Sequence, residues 1–243
     1  MRTAIVMAYY NRKELLMKTL LSFRDYKDYH IIIVDDCSDE PLKLNTDLPV
    51  TIKRLEKKEF YNSVQYNIGF HLALELNPGI IIIQNPECYH EGDIIGYAEK
   101  HLTHSNYIAF GCYSLPKDSP LPPLMKWPVG ASFDGEGAWY NHPIHRAVGY
   151  HFCTAITTDN LRKLNGFDER YAYGIGYDDS DLVRRIRRMG LRIDITSDPF
   201  VYHQWHYTNK NNDPFLIKKN ADLFSDLKQG KGHRAIHIIT PNL

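Results

Sequence analysis

The stretch IIIIQNPECYH (residues 80–90) joins a strongly apolar run directly to a group of polar residues. Four successive isoleucines are typical of a strand that is covered on both faces of a parallel sheet. This strand, predicted over residues 80–83, is followed by Gln-Asn-Pro-Glu, in which the proline can help to end the strand because it lacks an amide donor. The carboxylate beyond the proline is either ordinary strand punctuation or a group that meets a charged ligand.

Strand and helix patterns alternate on both sides of this stretch, over residues 1–113. We predict strands at residues 4–7, 31–34, 50–55, 80–83 and 107–113, and helices at residues 13–23, 63–76 and 92–104. Apolar strands between amphipathic helices indicate an α/β fold with a mainly parallel central sheet and helices on both faces. Ligands bind beyond the carboxyl ends of the strands in such sheets. The search for a site therefore concentrates on residues 8–12, 35–38 and 84–90.

The regular pattern stops at residues 114–146, where prolines recur, and a loop of this length within a domain is usually functional or mobile. Beyond it we predict strands at residues 152–157, 192–196 and 200–202, and helices at residues 158–164, 179–189 and 213–228. The chain is accordingly expected to form one domain over residues 1–212, followed by a C-terminal helix and tail at residues 213–243. The basic run RRIRR (residues 184–188) could suggest phosphate binding. Because its isoleucine points inward, its arginines are instead predicted to face solvent for the most part.

The amino-acid composition argues against several classes of protein. Basic and acidic residues both number 29, so whole-chain electrostatics give no argument for a nucleic-acid or anionic-membrane partner. The four cysteines form no C-x-x-C pair, which excludes common zinc-site spacings and fits reduced thiols. The first residues turn polar too soon for a signal peptide, and no apolar run approaches the ~20 residues of a membrane span. We expect a cytoplasmic protein, of undetermined oligomeric state.

Five polar clusters follow predicted strands or begin predicted helices. They are AYYNR (residues 8–12), VDDCSD (34–39), QNPE (84–87), GFDERYAYGIGYDDSDL (166–182) and YHQWH (202–206). Each cluster is weak evidence by itself, since Asp-Asp after a strand is commonly a turn. In this order and spacing they resemble an inverting family 2 glycosyltransferase with the GT-A (Rossmann-like) fold and a galactosyltransferase-like C-terminal segment. The resemblance covers residues 3–206.

The resemblance implies a nucleotide-sugar donor, expected to be a UDP-sugar, bound by residues 1–113, with acceptor binding and catalysis in residues 114–212. It assigns the donor to Ala8, Tyr10, Asn11, Arg12, Asp36, Asn67 and Asn85. A carboxylate can accept a hydrogen bond from a base N–H, and an aromatic ring can stack on the base. Two alternatives stay open: Tyr10 can pack against the following helix, and Asn67 can serve as a helix-start residue.

Members of the family that this chain resembles end the strand over residues 80–83 with Asp-x-Asp, which holds Mn²⁺ or Mg²⁺ against the donor diphosphate. This chain has Asn85, Pro86 and Glu87 there instead. The resemblance makes Glu87 the metal-binding acid and His203 a second ligand, with His206 as the fallback. Because imidazole favours Mn²⁺ over Mg²⁺, Mn²⁺ is the expected cofactor and Mg²⁺ the alternative.

The acids Asp178 and Asp179 begin a predicted helix, where the helix dipole stabilises negative charge in any protein. The resemblance gives Asp179 a further role as the general base that deprotonates the acceptor hydroxyl. Asp178, which stands where the family has Glu, is assigned to the acceptor site together with Trp139, Tyr140 and His151. For these aromatic residues, the sequence does not separate an acceptor platform from core packing.

The expected activity is therefore that of an inverting, metal-dependent hexosyltransferase of polysaccharide biosynthesis, acting on a glycan or glycolipid hydroxyl. One alternative is a protein of the same fold that binds a nucleotide sugar or glycan without turnover, which the altered Asp-x-Asp motif favours. Another is a nucleotidyltransferase, which is disfavoured because residues 7–13 lack the glycines of a phosphate loop.

Overall fold

The structure is a computed structural model that describes residues 2–56, 62–121, 137–207, 213–228, 230 and 232–243. The strands are β1 (Thr3–Tyr9), β2 (Tyr29–Asp35), β3 (Val50–Arg54), β4 (Ile80–Gln84), β5 (Cys88–Glu91), β6 (Asn106–Ser114), β7 (Ala138–Asn141), β8 (Cys153–Thr157) and β9 (Arg192–His203). The helices are α1 (Lys13–Leu21), α2 (Asn62–Glu75), α3 (Ile94–His101), α4 (Thr158–Leu164), α5 (Asp178–Arg188) and α6 (Pro214–Asp226), and a 3-10 helix covers Glu169–Tyr173. Within these ranges, no helix is both long and apolar enough to cross a bilayer.

All nine strands join one sheet in the order β3-β2-β1-β4-β8-β6-β9-β5, with β7 paired to β6. Strands β3, β2, β1 and β4 run parallel, and β9 runs parallel to β6, whereas β8 and β5 are antiparallel to their neighbours. The predicted α/β fold with a mainly parallel central sheet is confirmed. Because β1, β2 and β4 are parallel neighbours, their carboxyl ends open onto the same edge of the sheet.

Helices cover both faces of the sheet, as predicted. Alternate side chains of β1 point to opposite faces, so Ile5 packs in the core under α1 and α3 while Val6 packs in the core under α2, α4 and α5. Helix α2 approaches β1 closely because Gly69 has no side chain. A Cβ atom there would lie only 2.3 Å from Cγ1 of Val6. This close approach sets the position of the residues of α2 that reach the carboxyl edge of the sheet.

Three features were absent from the prediction. Strands β5 and β7 form from short segments of mixed polarity, and β9 is one strand where two were predicted. Pairing of β5 with β9 places Cys88 opposite His203. The segment just before β5 therefore lies beside the segment just after β9, which joins two of the polar clusters. Of the loop predicted over residues 114–146, residues 122–136 lie outside the described residues.

The C-terminal residues 235–243, predicted to be a tail, are held against the domain by a buried carboxylate. Glu169 is fully buried and accepts hydrogen bonds from the backbone amides of Ile238 (2.8 Å) and Ile239 (2.7 Å). Burial alone would raise the pKa of Glu169, but hydrogen bonds from Thr240, Asn67 and these amides outweigh burial and lower the pKa. The segment thereby fastens the loop between α4 and the 3-10 helix.

Candidate active site

A cleft opens at the carboxyl ends of β1, β2 and β4. Six residues assigned to the donor or the metal from the sequence line this cleft: Ala8, Tyr10, Arg12, Asp36, Asn85 and Glu87. Gln65 and Tyr66 from helix α2 line it as well, and neither was selected from the sequence. Their signal was their place immediately before Asn67, which was selected. The cleft thus lies at the sheet edge to which the strand pattern pointed.

The loop after β2 is shaped by Asp35 and presents Asp36 to the cleft. The carboxylate of Asp35 accepts hydrogen bonds from the backbone amide of Ser38 (3.0 Å) and from Nη1 of Arg54 (2.9 Å). Burial raises the pKa of Asp35, but these bonds outweigh burial and lower it. Asn11 supports the same loop, because its side chain exchanges two hydrogen bonds with Asp39. Asn11 is therefore a neighbour of the cleft and does not line it.

Glu87, His203 and His206 form a compact group at the end of the cleft. Oε1 of Glu87 lies 3.2 Å from Nε2 of His203, 3.3 Å from Nε2 of His206 and 2.8 Å from Nη1 of Arg12. Burial alone would raise the pKa of Glu87, whose side chain is 2% exposed. Hydrogen bonds to both histidines and the nearby charge of Arg12 hold this pKa well below its ordinary value. Glu87 is therefore ionised at neutral pH.

This group fits a divalent metal ion. Its carboxylate oxygen and two imidazole nitrogens all lie within 4.8 Å of one another. The second carboxylate oxygen of Glu87, Oε2, is buried and finds no hydrogen-bond partner among the described residues. An ionised oxygen without a donor is costly in a protein interior, and a cation would satisfy it. One carboxylate with two imidazoles is a donor set that suits Mn²⁺ or Zn²⁺ better than Mg²⁺.

Gln204 holds the two halves of this group together. Its Nε2 atom donates to the backbone carbonyls of Leu15 (3.0 Å) and Glu87 (3.1 Å) and to Oγ1 of Thr19 (2.9 Å). The backbone amide of Gln204 also donates to the carbonyl of Glu87, at 3.1 Å. A buried amide with these partners fixes the segment after β9 against Glu87 and α1. The sequence contained Gln204 in the YHQWH cluster but gave no sign of this function.

Asp179, at the start of α5, is paired with His151, which lies just before β8. Oδ1 of Asp179 accepts from the backbone amide of His151 (3.1 Å) and is in close contact with Nδ1 of the same histidine. Burial raises the pKa of Asp179, but the charge and hydrogen bonds of His151 outweigh burial and lower it. Conversely, burial lowers the pKa of His151, and the neighbouring Asp179 raises it above its ordinary value. The contact fixes the orientation of the carboxylate and keeps it ionised.

Tyr66 lies between this pair and the end of β4. Its hydroxyl is within hydrogen-bond distance of the carbonyl of Gln84 (3.2 Å) and of Oδ1 of Asn85 (3.1 Å). Its ring contacts the ring of His151 edge to face, with centroids 5.1 Å apart. The end of β4 and His151, the partner of Asp179, therefore meet around one buried tyrosine.

The remaining selected residues have different surroundings. Tyr140 faces the group of Glu87, His203 and His206, with its ring centroid 5.2 Å from that of His203. Trp139, its neighbour on β7, points the other way and packs against Tyr113, at 5.0 Å between centroids. Asn67 is fully buried, and its side chain bonds both the backbone amide and the carbonyl of Phe167. Trp139 and Asn67 thus support the fold, and the described contacts do not bring either one into the cleft.

The ionised form of Asp178 is disfavoured in the folded protein, which leads to a prediction about stability. Burial and the adjacent charge of Asp179 raise the pKa of Asp178 to about 6. In the unfolded chain an Asp titrates near ~3.9, so ionised Asp178 opposes folding at high pH, and this cost disappears as the pH falls below ~4. Asp178→Asn should therefore stabilise the protein by about 1 to 2 kcal/mol at pH 8. Thermal unfolding of the wild type and the variant between pH 4 and pH 8 measures this difference in stability. If the stabilisation by Asp178→Asn did not shrink toward pH 4, the pKa of Asp178 would not be raised.

Two family profiles match the sequence. The profile described as glycosyl transferase family 2 matches residues 4–127, just over half of the 243 residues. The profile described as the N-terminal domain of galactosyltransferase matches residues 140–207. The first match contains the cleft and Glu87, whereas the second contains Asp179 and both histidines. No curated protein matches the sequence in a sequence search.

Solved structures with the same fold include three enzyme complexes. Staphylococcus aureus TarS 1–349 with UDP-GlcNAc has a TM-score of 0.62 at 15% identity, over 86% of this chain and 60% of that chain. The catalytic domain of Drosophila beta1,4-galactosyltransferase 7 with xylobiose has a TM-score of 0.61 at 13% identity, over 96% and 82%. GalNAc-T7 with UDP, GalNAc and Mn²⁺ has a TM-score of 0.65 at 14% identity, over 95% and 48%. The chain thus spans about 60% of the TarS fragment, and at these identities the likeness establishes the fold alone.

Proposed function

Because the chain belongs to glycosyl transferase family 2, we propose that it moves a sugar from a UDP-sugar to a hydroxyl group of a glycan or glycolipid, with inversion at the transferred carbon. The observation that carries this proposal is the compact group of Glu87, His203 and His206, whose carboxylate lines the cleft. The group of Glu87, His203 and His206 can hold a cation, and the ionised carboxylate of Asp179 can accept a proton. Tyr66, which lines the cleft, bonds to Asn85 and contacts the ring of His151, the partner of Asp179.

The donor is assigned to the sheet edge. Asp36 would accept hydrogen bonds from the base, and Tyr10 would stack on it, since both side chains line the cleft next to Ala8. Asn85 and Arg12 would lie beside the diphosphate, between the base and the metal-binding group. The choice of UDP is supported by the solved structures of TarS with UDP-GlcNAc and of GalNAc-T7 with UDP.

Glu87, His203 and His206 would hold a divalent ion, for which Mn²⁺ is the proposed choice. When bound, this ion offsets the negative charge that develops on the departing diphosphate. The guanidinium of Arg12 adds a positive charge at the same place, because it already contacts Glu87 and is partly exposed to the cleft. Gln204 would keep Glu87 close to the two histidines.

Asp179 is the proposed general base. As the acceptor oxygen attacks the anomeric carbon, the bond from that carbon to the diphosphate breaks and the hydroxyl proton passes to the Asp179 carboxylate. His151 orients this carboxylate through its backbone amide and its ring. An acceptor sugar would lie between Asp178, which is next to the base, and Tyr140, which is next to His203. Attack from the face opposite the diphosphate gives inversion.

A nucleotide-sugar screen tests the function. Thermal unfolding is followed with a panel of UDP-, GDP- and TDP-sugars, each with and without Mn²⁺. A ligand that binds only the native state at about 100 times its Kd should raise the Tm by roughly 5 to 10 °C. We expect the largest shift with a UDP-sugar in the presence of Mn²⁺, together with slow release of UDP. A shift without UDP release would favour the binding protein without turnover, and no shift with any donor would remove the proposal.

A further inference from the structure

A second cavity, of about 680 Å³, lies between helices α5 and α6 and outside the cleft described above. Its volume is in the range of small-molecule binding sites. The apolar part of its wall consists of Ala147, Val148, Val183 and Phe224. The cationic part consists of Arg184, Arg187, Arg188 and Lys228. We call this cavity the basic groove.

The basic groove begins beside the proposed base. Tyr150 and Ser180 line its near end, and their hydroxyl oxygens lie 3.0 Å apart. Tyr150 directly precedes His151 in the chain, and Ser180 directly follows Asp179. From Asp179 the groove follows one face of α5, so Arg187 lies about 12 Å further along the helix axis at 1.5 Å per residue. A molecule that presents a hydroxyl to Asp179 can therefore extend into the groove.

The groove carries an excess of positive charge. Asp181 is shared between two arginines, since it accepts from Arg184 (2.6 Å) and from Arg185 (2.6 Å). Arg188 donates to the backbone carbonyls at the end of α6, and a carbonyl does not neutralise its charge. Arg187 and Lys228 are exposed and form no ion pair with any described residue. Burial of Arg185, which is 3% exposed, departs from the prediction that residues 184–188 face solvent, whereas exposed Arg187 agrees with it.

We propose that the basic groove binds a phosphate group of the acceptor, so that the enzyme selects phosphate-bearing acceptors; the part about the acceptor rests on the proposed function. A phosphate has several acceptor oxygens and up to two negative charges, which match exposed guanidinium and ammonium donors. Val148 and Phe224, over whose ring the Arg184 guanidinium lies at 4.0 Å, offer a small apolar surface for the rest of the molecule. A neutral glycan would leave the charges of Arg187 and Lys228 unused.

The test compares the wild type with the double variant Arg187→Glu, Lys228→Glu, which changes two exposed side chains. Arg24→Glu, Lys100→Glu is the matched control, because these exposed residues carry the same charge change next to α1 and in α3, on the opposite face of the sheet. Binding is measured by calorimetry with glycerol 3-phosphate, and by co-sedimentation with phosphatidylcholine vesicles with or without phosphatidic acid. Saturating UDP and Mn²⁺ are present, so that the nucleotide site is filled.

We expect the wild type and the control to bind a phosphate probe equally well and the groove variant to bind it at least tenfold more weakly. Binding of soluble glycerol 3-phosphate assigns the phosphate to a soluble acceptor, and binding of phosphatidic acid vesicles alone assigns it to a lipid. Equal affinity of the groove variant and the wild type, or no phosphate binding by the wild type, would overturn the proposal. The affinity for UDP, measured on the same three proteins, tests the proposed function separately. If the wild type bound phosphate in the groove but did not bind UDP, the groove proposal would stand and the proposed glycosyltransferase function would be wrong.

Discussion

Replacing Asp179 with Asn is expected to reduce the turnover number by roughly 10²- to 10⁴-fold, the usual contribution of a positioned general base. Asparagine has nearly the same shape and can still accept the hydrogen bond from the His151 backbone amide, which Asp179 accepts at 3.1 Å. It cannot, however, take a proton from an acceptor hydroxyl. The affinity for the UDP-sugar should change by less than about twofold, because the general base acts on the acceptor and is not proposed to contact the donor.

Initial rates of UDP release and calorimetric titration with UDP separate these two quantities. Asp159→Asn is the matched control, because Asp159 is also an acid in the first turn of a helix, α4. Its side chain is exposed, and it is distant in sequence from the residues that line the cleft. It should turn over at the rate of the wild type. If Asp179→Asn kept more than about a tenth of the wild-type turnover, Asp179 would not be the base. Loss of UDP affinity in that variant would instead assign Asp179 to donor binding.

Replacing Glu87 with Gln is expected to remove metal-dependent donor binding. The substitution keeps the volume of the side chain but removes the only carboxylate of the group formed with His203 and His206. Loss of a residue that merely supports a metal ligand costs roughly 10- to 100-fold in metal affinity, so loss of a ligand should cost at least that much. Transfer should fall below detection at Mn²⁺ concentrations that saturate the wild type. Arg12, the ion-pair partner of Glu87, is partly exposed, so water can solvate its charge in the variant.

Mn²⁺ affinity is measured directly from the signal of free Mn²⁺ in electron paramagnetic resonance, and UDP affinity is measured with and without Mn²⁺. His203→Gln should reproduce the loss, whereas His104→Gln, which removes an exposed imidazole near α4, should not. Unchanged Mn²⁺ affinity in Glu87→Gln would show that the ion, if one is used, binds elsewhere. A Tm close to that of the wild type is required for either variant to be informative.

The fold could largely be predicted because its strongest signals are local. Runs such as residues 80–83 are so apolar that only a fully covered strand satisfies them, and the alternation with amphipathic helices then indicates a parallel sheet. The neighbouring ends of β1, β2 and β4 follow from that topology. Asp36 and Glu87 could therefore be placed at one edge of the sheet from the sequence alone. Asp179 and His203 were identified by motif, and the structure places each beside a partner suited to its proposed chemistry.

The parts that escaped prediction depend on tertiary pairing or on side-chain direction. Strand β5 is only four residues long and mixed in polarity, and its identity as a strand depends on its antiparallel partner β9. Trp139 and Tyr140 are adjacent on β7, and only the pairing of β7 with β6 decides which of them faces His203. Tyr66 and Gln204 are ordinary polar residues in the sequence, and their importance comes from partners that are distant along the chain.

The closure of residues 235–243 over Glu169 has a consequence for the kinetics of folding. The hydrogen bond from Ile238 to Glu169 joins positions 69 residues apart, and entropy opposes the closing of such a loop until the elements between them are in place. Phe167, in the fastened loop, packs against both Tyr66 and His151, with ring centroids 5.2 and 4.9 Å apart. We therefore expect the packing around the proposed base to be completed together with this distant segment, late in folding.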